Sequence, residues 1–467
     1  MSDSKTGSRR EEARGSGGRS DVRRLAARTL ERVLASRAPA QGPLEEAATG
    51  LEPRDRRLLR ELVLGSLRWR GRLDHVLECA SGRAVGKVRR RLRAPLRIGL
   101  YQLLYLDRVP AFAAVDQAVS EARRRAGARA AGFVNAVLRR VAGRPDLDSW
   151  PVESEEITAR LAIETSHPEF LVRRWLERFG EAATRRLLAA SNRPKPMSLL
   201  ALEDRVRLAG ELRRAGVETV SGSFSPSSLR VTAGEPLLTA AFGRGAFYVQ
   251  DEASQAAALV PPPRPGEVVL DAAAAPGGKG FALAAVDRSV WIAAGDVSLA
   301  RLRRLRANHE RLGSAERLLA LDAAQPPFGA VFDRVIADLP CSGSGTLARH
   351  PELKWRLSPS EIDRLAAAGL EILEGLAPAV RPGGLLIAIT CSLEREENED
   401  VVARLLERRP ELEPVDLQQI LDPESARHVE TAGRWRLLTG AEHDGFTVHV
   451  LRRSSGDSGR SPESAPR

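Results

Sequence analysis

The chain has 467 residues, of which 43% are hydrophobic and 28% charged, so it is long enough for several domains and apolar enough to bury a core. No apolar run approaches the roughly 18 residues of a membrane-spanning helix, and the first twenty residues lack the apolar stretch of a signal peptide. The three cysteines form no CxxC spacing, which argues against a disulfide framework or a structural zinc site. Composition therefore excludes a wholly disordered chain and an integral membrane protein, and predicts a cytoplasmic protein.

The net charge of +11 is concentrated at the beginning of the chain. Residues 1–150 contain 32 Lys and Arg against 17 Asp and Glu, a net charge of +15, whereas the remainder carries a net charge of −4. A basic region of this kind attracts a polyanion, and nucleic acid is the usual one. Only five of the basic residues are lysine, so a general coding bias toward arginine is an alternative explanation.

The chain begins and ends in segments of low hydrophobicity. Residues 1–20 and 454–467 consist largely of Ser, Gly and charged residues, and they predict disordered tails. From Asp21, which is suited to cap a helix, apolar residues recur at spacings of three and four. This spacing returns as far as residue 150, with no alternating strand pattern before about residue 190. Residues 21–150 are therefore predicted to form an all-α helical bundle.

Two further domains are predicted after the bundle. Residues 151–255 combine a helical segment with short apolar or alternating runs, which predicts a small α+β module. Residues 256–453 alternate apolar runs with helical stretches, a pattern typical of an α/β domain with a mostly parallel sheet. These runs are EVVLDA, SVWIAAGD, RLLALD, DRVIADLP and GGLLIAIT. The alternation in the final run, GFTVHVLRR, predicts a half-buried last strand.

The residues that follow these strands are the first candidates for ligand binding, because open α/β sheets bind ligands at the carboxyl ends of their strands. After Asp271 the chain continues with small residues to a Gly277-Gly278 pair that opens a predicted helix. Small side chains let a ligand lie against the backbone, and the helix N-terminus exposes free N–H groups. The segment matches neither a P-loop nor GxGxxG, so by itself it is either a cofactor-binding turn or a structural one.

Acidic residues also follow the next two predicted strands, at Asp296 and Asp322. A single Asp in such a place is most often a helix cap. Together with Asp271, however, these residues would line one crevice with acceptors for a cationic, hydroxyl-bearing adenosine cofactor. S-adenosylmethionine fits this description better than a dinucleotide, since the sequence has no glycine-rich pyrophosphate cradle.

Two of the three cysteines, Cys341 and Cys391, follow the fourth and fifth predicted strands. Adjacent parallel strands end at the same edge of a sheet, so both thiols are expected beside the acidic residues. Cys79 lies in a predicted helix without chemical neighbours in the sequence, and we interpret it as a buried packing residue.

Several segments resemble those of a known family. DAAAAPGGKG, DLPCSGSGTLARHPELKW and TCSLEREENEDVV closely resemble three signature segments of the RNA cytosine-5 methyltransferases, and FYVQDEASQ resembles a fourth. The first 150 residues resemble a NusB-type RNA-binding domain, above all in LRIGLYQLLYLDRVPAFAAVDQAV and GFVNAVLRR. The combination is similar to the bacterial 16S ribosomal RNA cytosine-5 methyltransferases of the RsmB or Sun type, over about residues 21–453. The resemblance implies that residues 256–453 form a Rossmann-like, S-adenosylmethionine-dependent methyltransferase domain.

The resemblance also implies a role for each candidate residue. Cys391 would be the nucleophile that adds to C6 of cytosine, so that C5 can attack a methyl group, and Cys341 would help to release the product. The attacking sulfur must be a thiolate, which neighbouring cations or backbone N–H groups would favour. Asp338 is suited to hydrogen-bond the base near N3 and N4. Cofactor contact is implied for Ala273, Ala274, Ala275, Pro276, Gly277, Gly278, Lys279, Asp296, Asp322 and Asp338, and no metal is expected.

The implied partner is 16S ribosomal RNA, either free or within an immature small subunit, bound by a monomer. The target base has to leave its stack to reach the crevice. A transfer-RNA methyltransferase that uses the same two cysteines is one alternative. A non-catalytic RNA-binding or antitermination factor is another, although a binding factor has no need for both cysteines.

The sequence departs from the family pattern in two places. Ala273 stands where many relatives have Cys and Gly280 where they have Thr, but neither position takes part in the expected reaction. Residues 197–205, MSLLALEDR, lack the usual Arg-Val-Asn segment, which weakens the prediction that the middle module binds RNA. His167 and His350 lie beside Pro in matching segments; we interpret each as a solvated or capping histidine, with RNA contact as the alternative.

Overall fold

The computed structural model describes residues 8–36, 38–314 and 317–455, and for residues 8–21 it describes the backbone alone. The outer parts of the two predicted tails, residues 1–7 and 456–467, lie outside the described residues.

The chain divides into two compact units. The first, which we call the helical unit, comprises Met1–Asn192 together with Leu347–Arg356. The second, which we call the α/β unit, comprises Arg193–Thr346 together with Leu357–Arg467. The chain therefore leaves the α/β unit shortly after Cys341, contributes a short segment to the helical unit, and then returns.

The helical unit buries the apolar faces of its helices in one core, as the spacing of apolar residues predicts. Leu30, Leu59, Leu62 and Leu67 are completely buried there, and each such side chain contributes about 1.5–3 kcal/mol of transfer free energy. Its helices in the described residues are α1 (Ser8–Ala35), α2 (Gln41–Ala48), α3 (Pro53–Arg68), α4 (Arg70–Ser81), α5 (Arg90–Tyr105), α6 (Ala111–Ala126), α7 (Ala128–Ala142), α8 (Ile157–Glu164) and α9 (Glu169–Asn192).

Two boundaries of the helical unit differ from the predicted ones. Helix α1 begins at Ser8 and not at Asp21, so the predicted capping residue Asp21 lies inside the helix. Residues 151–192 are grouped with the bundle and not with the module that follows. The reason is that α8 and α9 are joined to the bundle, for example by a hydrogen bond of 2.8 Å from the Gly71 N–H to Ser166 Oγ.

The segment Leu347–Arg356 forms hydrogen bonds with the ends of several helices of the helical unit. Trp355 Nε1 donates to the Leu67 carbonyl (2.7 Å), and Lys354 Nζ donates to the Arg68 carbonyl (3.3 Å), at the C-terminal end of α3. Glu352 Oε1 accepts from the Ala40 N–H (3.0 Å), just before α2. Helix ends leave backbone groups without partners inside the helix. The segment therefore supplies partners that the helices themselves lack.

The α/β unit begins with a small antiparallel sheet, which corresponds to the predicted mixed module. Its strand order is β2-β3-β1-β4, and Leu199 pairs with Leu229 on one side and Val249 on the other. Leu199 and Leu229 share a core with Phe247. The elements are β1 (Ser198–Ala201), α10 (Arg205–Arg214), β2 (Glu218–Ser221), β3 (Ser228–Ala233), α11 (Ala240–Gly243) and β4 (Phe247–Val249).

A larger mixed sheet forms the rest of the α/β unit. Its strands are β5 (Val268–Asp271), β6 (Trp291–Asp296), β7 (Arg317–Ala320), β8 (Phe332–Asp338), β9 (Val380–Thr390), β10 (Leu412–Pro414), β11 (Val429–Thr431), β12 (Arg434–Leu437) and β13 (Phe446–Arg453). The accompanying helices are α12 (Glu252–Ala258), α13 (Gly278–Val286), α14 (Leu299–Leu312), α15 (Pro359–Leu376), α16 (Glu399–Arg408) and α17 (Pro423–Ala426). Among the residues described, no helix is both long and apolar enough to cross a bilayer.

The strand order β11-β12-β13-β9-β8-β5-β6-β7 positions the site. The chain moves outward from β5 through β6 to β7, then returns to the other side of β5 to form β8. These strands and β9 run parallel. A reversal of this kind opens a crevice at the carboxyl ends of the strands on either side of it. The multidomain fold, with a helical region followed by a Rossmann-like domain, is as predicted.

The prediction of a half-buried last strand is wrong. In β13 both faces are covered: Thr447 is 0% exposed and His449 is 6% exposed, although the alternation suggested a solvent face for them. The strand lies between β9 and β12, and β10 also pairs with it. An alternating pattern identifies a strand but does not show what covers its polar side.

Candidate active site

The loop between β5 and α13 has a conformation that depends on glycine. Gly277 has φ of +115°, and a Cβ added there would lie 2.4 Å from the Phe281 ring. A Cβ on Gly278 would lie 2.9 Å from Gln250 Nε2. Ala274 and Ala275 are buried in a core with Phe281. The loop therefore offers its backbone, and not these methyl groups, to a ligand.

Three acidic residues lie at or just after the carboxyl ends of β5, β6 and β7. Asp271 is completely buried at the end of β5. Asp296 ends β6; its Oδ1 accepts from the Ser298 N–H (2.9 Å), and its Oδ2 lies 3.4 Å from Arg301 Nε. Asp322 is exposed and accepts from the Ala324 N–H at 3.0 Å. The structure thus places these carboxylates along one edge of the sheet.

Lys279, on the first turn of α13, forms an ion pair with Asp338 at the end of β8. The distance from Nζ to Asp338 Oδ2 is 2.5 Å. Burial by itself disfavours the charged ammonium, but the charges of Asp338, Asp271 and Cys391 outweigh it and raise the pKa of Lys279. The side chain is therefore a fixed positive charge inside the crevice, close enough to the Cys391 sulfur to interact with it electrostatically.

The structure brings the two cysteines of the α/β unit into contact. Their sulfur atoms are 3.4 Å apart, although the residues are separated by 50 positions in the chain. The Leu339 N–H donates to the Ile389 carbonyl (2.9 Å), and the Gly345 N–H donates to the Cys391 carbonyl (2.9 Å). The hydrogen bond with Cys391, burial and nearby negative charge raise the pKa of the Cys341 thiol well above its usual value. Cys341 is thus held as a thiol beside Cys391.

A set of polar residues that the sequence did not reveal lies behind the cysteines. Glu397 is 2% exposed and accepts two hydrogen bonds from Ser342, from its N–H (2.7 Å) and from its hydroxyl (2.6 Å). Ser342 Oγ lies 3.2 Å from Ser392 Oγ. The signal was present, because both serines directly follow a cysteine and Glu397 lies in the TCSLEREENED segment. What the sequence did not provide was the contact across the two segments.

The interpretation of Cys79 as a buried residue is wrong. Cys79 is exposed on α4, with its sulfur 3.6 Å from His75 Nε2. The buried face of α4 includes Leu73, Val76 and Leu77, and position 79 falls outside it.

The two histidines have structural surroundings within the helical unit. His167 is buried, contacts the Thr165 hydroxyl through Nδ1 (3.0 Å) and packs against Trp175. Burial and the Lys354 charge lower the pKa of His167 well below its usual value. His350 is partly exposed, with Nδ1 3.7 Å from Glu352 Oε1. The burial of His167 rules out a solvated side chain there, whereas His350 is partly exposed.

A parallel sheet that reverses between β5 and β8, a glycine-dependent loop after β5 and carboxylates along the adjoining strand ends define an S-adenosylmethionine-dependent methyltransferase. The family model for 16S rRNA methyltransferase RsmB/F matches residues 258–452, and the NusB family model matches residues 20–143. Ribosomal RNA small subunit methyltransferase B of Pseudomonas syringae is 33% identical, over 91% of this chain and 95% of that protein, and the Vibrio cholerae protein of the same name is 32% identical, over 93% and 98%. The chain belongs to the ribosomal RNA small subunit methyltransferase B family.

Solved structures share the fold. The crystal structure of PH0851 superposes with a TM-score of 0.76 at 27% identity, and covers 93% of this chain and 99% of that one. A methyltransferase homolog from Pyrococcus horikoshii gives a TM-score of 0.52 at 27% identity, over 63% of this chain and 97% of that one. The family resemblance, the fold class and the cofactor predicted from the sequence are thereby confirmed.

Proposed function

We propose that this protein methylates C5 of a cytidine in 16S ribosomal RNA, with Cys391 as the nucleophile and Cys341 as the residue that assists product release. The observation that carries the proposal is the 3.4 Å contact between the two sulfur atoms beside the Lys279–Asp338 ion pair. Two converging cysteines suit a reaction that forms and then breaks a covalent bond to the substrate. The names of the relatives support ribosomal RNA as the substrate.

Cys391 begins the reaction as a thiolate that adds to C6 of the cytosine. The new S–C6 bond converts the C5–C6 double bond into an enamine, which makes C5 nucleophilic. The Lys279 ammonium stabilises negative charge on the sulfur, and the Cys341 thiol can donate a hydrogen bond to it. Asp338 is suited to hydrogen-bond the base near N3 and N4, which would favour addition at C6.

Cys341 acts in the second half of the reaction. Once Cys391 is bonded to C6, its sulfur carries no negative charge and no longer opposes the loss of a proton from Cys341. Cys341 can then lose its proton to solvent and, as a thiolate, accept the proton from C5. The electron pair of the C5–H bond restores the C5–C6 double bond, the S–C6 bond breaks, and Cys391 leaves as a thiolate.

The residues of the crevice fit S-adenosylmethionine. The turn of residues 273–279 leads into the N-terminus of α13, whose backbone N–H groups can donate to a ligand, and Asp296 and Asp322 provide carboxylate acceptors for hydroxyl and amino groups. When bound, the cofactor supplies an electrophilic methyl group. Asp296 ends β6, the strand beside β5, where doubly wound folds place a carboxylate on a ribose hydroxyl, so we assign Asp296 to the ribose and Asp322, after the next strand, to the adenine end.

RNA binding is assigned mainly to the basic first third of the chain, which carries a net charge of +15 over residues 1–150. The substrate is the RNA either free or within an immature small subunit, and the protein acts as a monomer. The predicted domains at 21–150, 151–255 and 256–453 would bind RNA, assist binding and catalyse, respectively.

The decisive experiment measures methyl transfer from labelled S-adenosylmethionine to protein-free small-subunit RNA and to total transfer RNA. Wild type should form 5-methylcytosine in the ribosomal RNA, Cys391→Ala should be inactive, and Cys341→Ala should accumulate a covalent protein–RNA adduct. Label in transfer RNA alone would instead identify a transfer-RNA enzyme. Binding of the ribosomal fragment without labelling of either RNA would favour a binding factor or a substrate that exists only in the particle.

A further inference from the structure

The loops that carry the two cysteines are joined by one buried carboxylate. Cys341 lies on the loop after β8 and Cys391 on the segment after β9. Glu397 belongs to the second segment but accepts two hydrogen bonds from Ser342, the neighbour of Cys341. Ser392, the neighbour of Cys391, joins the same group through Ser342 Oγ. We call Ser342, Ser392 and Glu397 the clamp.

We infer that Glu397 is a positioning residue, whose two carboxylate oxygens hold the Cys341 loop against the Cys391 segment so that both sulfurs act on one base. The inference rests on the two-cysteine reaction proposed above. The hydrogen bonds of Glu397 go to the backbone N–H and hydroxyl of Ser342 and not to either sulfur. Glu397 therefore acts on Cys341 through Ser342.

The geometry of the clamp favours positioning over simple packing. A bond to the Ser342 N–H fixes the peptide group that directly follows Cys341, and a bond to the Ser342 hydroxyl fixes the side chain of the same residue. The segment around Glu397 is itself rigid, since Asn398 donates to the carbonyls of Ser392 (3.2 Å) and Glu394 (2.7 Å). Movement of the Cys341 loop is therefore resisted by a fixed partner.

Burying a carboxylate is costly, and an apolar side chain of similar volume would fill the space more favourably. Burial raises the pKa of Glu397 to about 7; the hydrogen bonds from Ser342 and Ser392 oppose this effect, and the negative charge of Glu394 adds to it. Cys341 is the titratable group that faces Glu397 from the other loop.

Three variants test the clamp. Glu397→Gln keeps an acceptor for the Ser342 N–H and replaces the other oxygen by an NH₂ group that can donate to the Ser342 hydroxyl. Glu397→Ala removes both bonds. Asp400→Asn is the matched control. Asp400 lies three positions further on and is partly exposed, and it forms an ion pair with the surface residue Arg395.

The measurement compares 5-methylcytosine formation with the amount of trapped protein–RNA adduct, at equal amounts of folded protein judged by thermal unfolding. For Glu397→Ala we expect product formation to fall by about 10–100-fold, as misplacement of a reacting group does, while the adduct accumulates as in Cys341→Ala. Glu397→Gln should restore both product and the low adduct level, and Asp400→Asn should match wild type. At pH 8 Glu397→Gln should unfold at a temperature no lower than wild type, since it removes a buried charge.

The outcomes separate the two levels of the proposal. If wild type forms no 5-methylcytosine and Cys341→Ala traps no adduct, the proposed two-cysteine reaction is wrong, and the inference about Glu397 is then wrong as well. If both behave as expected but Glu397→Ala, at equal amounts of folded protein, forms less product without accumulating adduct, Glu397 does not position Cys341 and the inference is overturned. Wild-type kinetics for Glu397→Ala would overturn it as well.

Discussion

Two buried lysines in this chain have opposite surroundings. Lys354 in the helical unit is 0% exposed, and its ammonium donates to neutral oxygens, those of Asn192 Oδ1 (2.5 Å) and of the Arg68 and Ser166 carbonyls. Burial and the Arg68 charge lower the pKa of Lys354 well below its usual value. Lys279 in the α/β unit pairs with a carboxylate, and its pKa is raised.

The difference shows that burial alone does not identify a functional charge. Both lysines lie in segments that resemble family motifs, and the sequence offers no means of ranking them. Lys354 joins the ends of helices, so its role is to hold the segment Leu347–Arg356 in the helical unit. Lys279 faces Asp338 and interacts with Cys391, so its role is electrostatic.

The largest effect that would test this comparison is expected from Lys279→Met. The change removes the positive charge that, in the proposed reaction, stabilises the Cys391 thiolate, and the loss of one such electrostatic group typically lowers turnover by about 100–1000-fold. The measurement is single-turnover methyl transfer with saturating RNA, and a binding assay with S-adenosylmethionine separates chemistry from affinity. Turnover close to wild type would show that Lys279 is as structural as Lys354.

Lys354→Met should reduce stability and leave the chemistry of the folded protein intact. Removing the ammonium leaves three oxygens without this donor, at a cost of about 1–3 kcal/mol. A Lys whose pKa is lowered on folding binds fewer protons in the folded than in the unfolded state, so its contribution makes wild type more stable as pH rises toward the usual Lys pKa.

Denaturant unfolding at pH 7 and pH 9 measures the gain in stability with rising pH. This gain should be smaller in Lys354→Met than in wild type. Methyl transfer per folded molecule provides the control. A loss of activity out of proportion to the loss of folded protein would contradict a purely structural role for Lys354.

The smallest effect is expected from Lys279→Arg, which keeps the charge but changes its shape. Because a guanidinium is planar and bulkier than an ammonium, we expect turnover to fall by roughly tenfold, a smaller loss than in the Met variant.

Lys354→Arg is the companion variant. A guanidinium cannot become neutral among neutral partners, so this change should destabilise the folded protein more than Lys354→Met. Equal behaviour of Arg at both positions, in turnover and in unfolding, would remove the distinction between the sites.

Local patterns in the sequence were sufficient for much of the fold. The five apolar runs from EVVLDA to GGLLIAIT correspond to β5–β9, and the three-and-four spacing predicts the bundle. Such patterns succeed because side-chain periodicity depends on the conformation of the element itself. They fail where packing against another element decides whether a side chain is buried. Examples are β13, which is covered on both faces, and Cys79, which is exposed.

The candidate site divides in the same way. The sequence by itself identified the candidate residues, since acids, glycines and cysteines after apolar runs can be read from residue type and position. Only the tertiary structure decided which of them meet: the sulfurs of Cys341 and Cys391, the Lys279–Asp338 pair and the contact of Ser342 with Glu397. These contacts join residues 50 to 59 positions apart, and they depend on β8 and β9 being neighbours and on β5 lying beside β8. The order of strands in a sheet is set by packing of the whole domain, and no local periodicity encodes it.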